Sequence, residues 1–494
     1  MSLGYSTSAT VGAAAAVEVA LLLLLGKILY NLFFHPLRKY PGPLVNRASY
    51  LGYVYVLMRG DLPQKVLEWH EQYGPVIRIM PDQLSFVKPE AWKDIYGYNT
   101  GTEEMSKLQT FYNAVGGRSI VTEPLRGRHR NLRRLLAHGF SDRAMRDQEP
   151  LIAGYVDLLI QRLHERTLPE AVDMRTWYNW MAFDIIGDLA FGESFGSMDQ
   201  VRYHPWVDAI ANKVSTMGLF ITATLLHLRR PLMLAAGLIF PGREEVESLA
   251  MQRVEKRMAL GTERPDFLEG LLRQRKEDNM TLSIDDIAKN AEMLVLAGSE
   301  TTATLLTGLT YLLLRNRAVL DRLTAEVRSS FASASEITLI SVGKLPYMLA
   351  CIDEGLRMYP PVPVGLPRVV PAAGAIIAGD FVPGGTVVSC SQWAMDHYSK
   401  HWVGPYDFTP ERFLDGSMNA GDCREALQPF SLGPRSCIGR NLAYAEMRLV
   451  LARIIYDFDM RMVNPSLQWI DAQKSLILWD KPELSVYLEP VRKD

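Results

Sequence analysis

Cys437 stands in the stretch FSLGPRSCIG, where Phe430, Gly433, Arg435 and Gly439 surround a single cysteine just before a helix-forming run. A lone cysteine is usually a small buried hydrophobe. These neighbours point to another use. Glycine at 433 and 439 lets backbone approach a bulky group closely, Arg435 supplies positive charge, and a helix N-terminus after the sulfur favours a thiolate. That is the setting of a metal-bound sulfur.

A second constellation, AGSETT from Ala297 to Thr302, lies in the middle of a long helical pattern, where glycine and repeated threonine are poor helix formers. The plain reading is a tolerated kink. The chemical one is that Ala297 and Gly298 leave room for a flat cofactor, while Glu300 and Thr301 offer an acid and an alcohol to relay protons inside an apolar helix. A third, Glu354-Gly355-Leu356-Arg357, puts a carboxylate and a guanidinium on one helical face. Most such pairs are solvated and worth well under about 1 kcal/mol, but Leu349, Ile352 and Leu356 flank this one. His129 and Arg133 in RHRNLRRLL and Arg368 in GLPRVV are further basic groups that would otherwise be ordinary surface charges. His397 and His401, four apart in a stretch that reads as loop, have no third ligand beside them and are assigned no metal.

The pattern F-x-x-G-x-R-x-C-x-G resembles the haem-ligand loop of the cytochrome P450 family, and the other motifs follow in that family's order. The resemblance implies a mainly α-helical fold with a small β region, one haem b (iron protoporphyrin IX), and insertion of one atom of O2 into an apolar small molecule while the other is reduced to water. It makes Cys437 the axial ligand, whose thiolate pushes electron density onto the iron and promotes O–O cleavage. It places Phe430 beside the sulfur, pairs Arg435 with a haem propionate, sets Ala297 and Gly298 over the haem and puts Thr301 beside bound dioxygen. His129, Arg133 and Arg368 are expected at the propionates, although the family commonly has tryptophan where His129 stands. Glu354 and Arg357 match the family's E-x-x-R motif and would form a buried network with Arg412 of PERF, supporting the haem loop. FFHPLRKYPGP beside these motifs is most similar to filamentous-fungal secondary-metabolism members, which implies a tailoring step on a terpenoid or polyketide.

The elements that must position these residues are legible as well. Val11 to Phe34 is apolar or small except for Glu18, Lys27 and Asn31, and as a helix spans roughly 36 Å, enough for a bilayer core of about 30 Å. No small-residue cleavage pattern follows, so a retained anchor is expected over residues 1–34. Arg38, Lys39 and Arg47 follow it closely and no Lys or Arg precedes it, which places the body in the cytosol, at the endoplasmic reticulum membrane. Pro36, Pro41 and Pro43 predict a stiff extended connector over 35–48, and the catalytic domain then runs from 49 to 494. Helical periodicity dominates to about residue 330, with an amphipathic helix over 143–166. The unusually apolar stretch Met217 to Phe240 reads as a membrane-dipping substrate entrance. Ser283 with Asp286 forms a capping box for a helix of roughly 48 Å that ends near Leu314. Residues 363–390 carry short strands punctuated by Gly and Pro, and a new helix begins after Cys437.

A net charge of -2, 48% hydrophobic and 22% charged residues describe an ordinary globular protein with no pull toward nucleic acid. The four cysteines, Cys351, Cys390, Cys423 and Cys437, show no C-x-x-C spacing, which excludes a disulfide framework or zinc cage and suits a reducing compartment. No Gly-rich dinucleotide fingerprint appears. Electrons are therefore expected from a separate NADPH-dependent membrane reductase, docking near Cys437 on Arg424, Arg440 and Arg448. Pocket walls are expected from Leu108 to Ile120, Leu294, Ala297, Val364, Leu366 and Ser475 to Leu478, apolar enough for a terpenoid, polyketide or similar molecule. Two rivals remain at this point: a haem-thiolate isomerase or dehydratase that needs no O2, against which the Glu300–Thr301 pair argues, and a haem carrier without turnover.

Overall fold

The long helix Ile284–Arg315 runs through the middle of the molecule. In this computed structural model, which describes residues 4–98, 103–115, 117–166, 168–202, 204, 216–228, 243–261, 266–277, 282–414 and 421–491, every side chain from Thr302 to Leu313 is buried. The capping box forms as expected: the Ser283 hydroxyl accepts from the Asp286 N–H at 2.9 Å and the Asp286 carboxylate from the Ser283 N–H at 3.3 Å. A helix buried on all sides must be packed on all sides, and Met174–Phe191, Arg243–Ala259, Pro346–Met358 and Arg440–Asp457 all pack against it. Its two glycines mark the closest approaches. A Cβ on Gly298 would lie 2.6 Å from Ile186 Cδ1, and one on Gly308 would lie 2.1 Å from Tyr359 Cδ1. Truncating a fully buried leucine here, such as Leu305, costs about 2–5 kcal/mol.

The small β region is a five-stranded sheet in the order Val76–Met80, Gln83–Phe86, Val387–Cys390, Arg368–Val369, Ser106–Lys107, with a three-stranded sheet formed by Ala171–Asp173, Ser485–Pro490 and Phe458–Met462. Gln83–Phe86 runs parallel to Val387–Cys390, and the other pairs are antiparallel. Within the stretch of short strands expected at 363–390, a hairpin pairs Ala375–Ile377 with Asp380–Val382 across Ala378 and Gly379, both at positive φ. The strands at 76–86 interrupt a region that reads as helical. Val76 to Met80 is buried at every position, so the alternation that betrays a half-exposed strand is absent.

The N-terminal helix Gly4–Leu29 continues as one π-helical turn over Tyr30–Phe34, and Ala15–Phe34 is long and apolar enough to cross a membrane. The connector is not extended as expected. Pro36–Lys39 forms a 3-10 turn, in which the His35 ring accepts from the Leu37 N–H at 3.1 Å, and Leu44–Ala48 is a short helix. Proline at the first helical position gives up no hydrogen bond, so Pro36 starts a turn where a later proline would break one. The Asn31 amide donates to Ala48 O at 2.8 Å and Arg78 donates to Asn31 O at 2.8 Å, which pins the helix end to the body. Of the stretch Met217 to Phe240, residues 229–240 lie outside the described residues; Thr216–Leu225 is an apolar helix whose Met217 and Ile221 are buried in the core.

Candidate active site

The cysteine loop is built by backbone. The Cys437 N–H donates to Phe430 O at 2.8 Å and closes a loop over a 3-10 turn, Gly433–Arg435, after which Arg440–Asp457 begins. Gly433 is held at φ +71°, and a Cβ there would meet Tyr96 O at 2.1 Å, so this glycine is required by the packing of the loop on the helix Glu90–Tyr96. Gly439 is different. A Cβ would find only Phe140 at 3.8 Å and Cys437 Sγ at 3.9 Å, so the side chain it lacks would occupy open space beside the sulfur. Cys437 has accessible surface although protein surrounds it, the condition of a residue lining an enclosed slot. Burial pushes its thiol up, against the Gly439 N–H, Arg133 and Arg440. The expected preference of the helix terminus for a thiolate is thus outweighed by desolvation, and a cation bound to the sulfur would reverse the balance. Arg133 is committed to the loop itself, donating to Ser436 O at 2.6 Å and Oγ at 3.3 Å. Phe430 packs 5.3 Å from Tyr444, whose hydroxyl donates to Asp353 at 2.7 Å.

On the long helix, Ala297 is exposed, between buried Leu296 and half-buried Gly298. Gly298 turns elsewhere: what its missing side chain makes room for is Ile186. Consecutive helical residues point about 100° apart, and positions 300–302 face three different surroundings. Glu300 forms an ion pair with Lys481, whose ammonium also donates to Thr304 Oγ1 at 2.6 Å. Thr301 donates to Ala297 O at 2.6 Å, leaving its lone pairs free to accept. Thr302 is hydrogen-bonded to Glu446, whose carboxyl is pushed up to about 8 by burial and whose Oε2 has no partner among the described residues.

A cluster of basic groups forms one edge of the site. His129, Lys107, Arg133, Arg368 and Arg435 lie close enough that their charges act on one another. The imidazole of His129 is pushed down to about 3, by burial first and then by the four cations, so it is neutral at physiological pH. Lys107 is held well below its usual range by burial, then by Arg368 and Arg435, although Glu104 and Glu123 oppose this. Its ammonium donates to Ile120 O at 3.2 Å and to Val121 O. Arg435 pairs with Glu104 and donates to Glu123 O at 2.6 Å and Pro124 O at 2.9 Å. Arg368 is buried over the Tyr96 ring, and its Nε has no partner among the described residues. Buried like charges with an orphaned donor are costly unless an anion joins them. A haem, with two carboxylates on one edge of an apolar disc, fits this donor set and the open space beside Cys437.

Behind the loop, Arg357 donates to both oxygens of Glu354 at 2.7 and 2.8 Å, and Arg412 to Glu354 Oε1 at 3.1 Å, with all three side chains buried. Arg357 also holds the carbonyls of Asp396 and Pro405 at 2.8 Å. Asp422, which pairs with Arg412, and Trp402, whose ring lies 5.1 Å from the Arg357 guanidinium, complete the group. Neither carries a sequence signal of its own. His397 stacks on Trp393 at 3.9 Å and ends the short helix Gln392–His397, where a loop is expected; His401 bonds Val87 O at 2.5 Å. No metal-ligating cluster occurs among the described residues.

The family model for "Cytochrome P450" matches residues 41–487. The chain belongs to the cytochrome P450 family. It is 47% identical to cytochrome P450 monooxygenase tpeC of Talaromyces stipitatus over 94% of this chain and 92% of that protein. It is 42% identical to the trichothecene C-15 hydroxylase of Fusarium sporotrichioides, over 94% and 95%, and 42% identical to the averantin hydroxylase of Dothistroma septosporum, over 96% and 91%. This P450 is a monooxygenase with a tailoring role of the kind found in fungal secondary metabolism, and its family implies a haem-thiolate cofactor, a redox partner, O2 and an organic substrate. Its N-terminal apolar helix is consistent with a membrane anchor. Three residues of the site escaped sequence reasoning: Lys107, Glu446 and Lys481 stand in no motif considered above, and only the fold brings them in.

Proposed function

We propose that this P450 binds haem b through Cys437, takes electrons from an NADPH-dependent reductase at the endoplasmic reticulum membrane, and hydroxylates or epoxidises an apolar terpenoid, polyketide or similar molecule. The reading rests on one observation above all: Cys437, in a half-buried loop, and Ala297, on an otherwise largely buried helix, are both exposed, beside a buried basic cluster of His129, Lys107, Arg368 and Arg435. They would form the two walls and the polar edge of one slot. Bound there, the haem supplies oxygen activation at a thiolate-held iron. Arg368, Lys107, His129 and Arg435 would hold its carboxylates, Phe430 and Gly439 would bound the sulfur, and Arg133 would fix the loop through Ser436. Thr301 would accept a hydrogen bond at the site of reaction, and Glu300 would hold the proton that replenishes it. Glu354, Arg357 and Arg412 would keep the loop at its height.

In this reading residues 1–34 anchor the chain, 35–48 connect, and 49–494 catalyse. Leu51, Tyr55 and Met58 are exposed on the helix Leu51–Arg59, whose Tyr53 lines a cavity with Leu108, Phe111, Leu225 and Pro367. That supports substrate entry from the lipid side. On the opposite approach Arg440 is exposed and Arg448 lies over Tyr444 at 5.0 Å, and these two would meet the reductase. Arg424 is tied to Arg412 O at 2.5 Å and serves the fold first.

The test is the reduced, carbon-monoxide-bound absorption spectrum of the full chain beside Cys437→Ala, followed by NADPH oxidation with a membrane reductase and panels of apolar terpenoids and polyketides. A strongly red-shifted band lost in the variant, with product formed on such a panel, is expected. A wild-type chain that binds haem without that band overturns the ligand assignment.

A further inference from the structure

Lys481 is nearly inaccessible, with a side chain 3% exposed, and among the described residues its ammonium meets only the long helix: the Glu300 carboxylate and Thr304 one turn further. The segment that presents it is fixed on both sides. Before it, the Trp479 indole donates to Pro360 O at 2.8 Å and its ring stacks on Tyr359 at 5.2 Å. After it, the Leu484 N–H donates to Asp173 at 2.9 Å, and Arg175, itself bound to Asp173, donates to the Lys481 carbonyl at 2.9 Å. The backbone at 479–484 therefore stays in place without the lysine side chain. What the side chain adds is a charge set against Glu300.

We propose that Lys481 is the positioning residue of Glu300: its ammonium fixes where the carboxylate sits on the long helix beside Thr301. The inference rests on the reading of Glu300 and Thr301 as a proton relay, and adds to it the group that sets the acid's geometry. Thr301 gives its own proton to Ala297 O at 2.6 Å, so a proton delivered at its oxygen must come from a neighbour. Glu300 is the adjacent acid, and the buried ammonium of Lys481, held by Thr304 as well, sets its orientation. The role is positional and adds no bond-making step.

The experiment uses the full chain reconstituted with reductase in phosphatidylcholine vesicles, and reads peroxide released per NADPH oxidised in wild type, Lys481→Met, Lys481→Arg, Glu300→Gln and the Lys481→Met/Glu300→Gln double variant. Hydrogen exchange at 473–484 and the reduced carbon-monoxide spectrum are measured on each. Lys481→Met is expected to raise the peroxide fraction about threefold or more with exchange and spectrum unchanged, Lys481→Arg to restore most of the loss, and the double variant to match Glu300→Gln alone. If Glu300→Gln raises peroxide and Lys481→Met does not, or the two effects multiply, the positioning role is wrong while the relay stands. Faster exchange across 473–484 in Lys481→Met also overturns it, because the lysine then holds the loop. If Glu300→Gln changes nothing, the relay itself falls and the inference with it.

Discussion

Arg412 reaches Asp422 at 2.7 Å where both side chains are 1% exposed, so this ion pair has no solvent to fall back on. Removing one partner of a buried pair strands the other charge, which costs about 3–5 kcal/mol. Asp422→Ala is therefore expected to lower the thermal midpoint strongly and to reduce haem retention, as Glu354→Ala would. Differential scanning calorimetry of the holoprotein checks this. An Asp422→Ala variant with an unchanged midpoint would mean that the network holds the loop less firmly than its geometry indicates.

Gly433 and Gly439 flank the same cysteine and should fail in opposite ways. Gly433→Ala puts a Cβ at positive φ into Tyr96 O and is expected to yield protein that does not hold the loop. Gly439→Ala meets only ordinary contacts and is expected to fold, while placing a methyl group beside Cys437 Sγ in the space assigned to the cofactor. The measurement is soluble expression and haem content: near-total loss of folded protein for the first, folded protein with weakened haem binding for the second.

Glu446 carries its carboxyl up to about 8, against 4.5 for an ordinary glutamate, because burial penalises its charge. The folded state then keeps a proton that the unfolded state has released. Stability contributed by this site falls as pH rises from about 4.5 to about 8, at roughly 1.4 kcal/mol per pH unit, and is level outside that window. Buried His129 and His397, both pushed down to about 3, act oppositely and lose stability as pH falls below 6.5. The difference between wild type and Glu446→Gln isolates the acid: the variant's advantage should grow with pH through the window. Parallel pH profiles of the unfolding midpoint would remove Glu446 as a buried neutral acid.

How far the sequence alone reaches differs by element. The Cys437 loop, the Ala297–Thr302 segment and Glu354–Arg357 are local patterns, with every informative residue within ten positions, so each is legible without the fold. Lys481 meets Glu300 across 181 positions and Glu446 meets Thr302 across 144, so neither pairing leaves a periodic trace. The same limit explains Gly298, which reads as room for a cofactor until Ile186, from a separate helix, is seen against it. It also explains Val76–Met80, whose burial on both faces erases the alternation that marks a strand.

Lys107 offers the sharpest test of the basic cluster, because its two effects should have opposite signs. Without haem, its ammonium is buried among Arg368, Arg435 and neutral His129, with Glu104 and Glu123 offsetting only part of the repulsion. Replacing it by methionine keeps most of the apolar stem and removes the charge, so the haem-free protein should gain stability. With haem bound, the same change deletes a partner of the cofactor's carboxylates, and a hydrogen bond to a charged group is worth about 1.5–3 kcal/mol. Lys107→Met is thus expected to unfold at a higher temperature than wild type when both are haem-free, yet to lose haem to apomyoglobin roughly tenfold faster or more when both are loaded. If haem transfer is unchanged, Lys107 belongs to the fold of the 106–121 segment, through Ile120 O and Val121 O, and not to the cofactor.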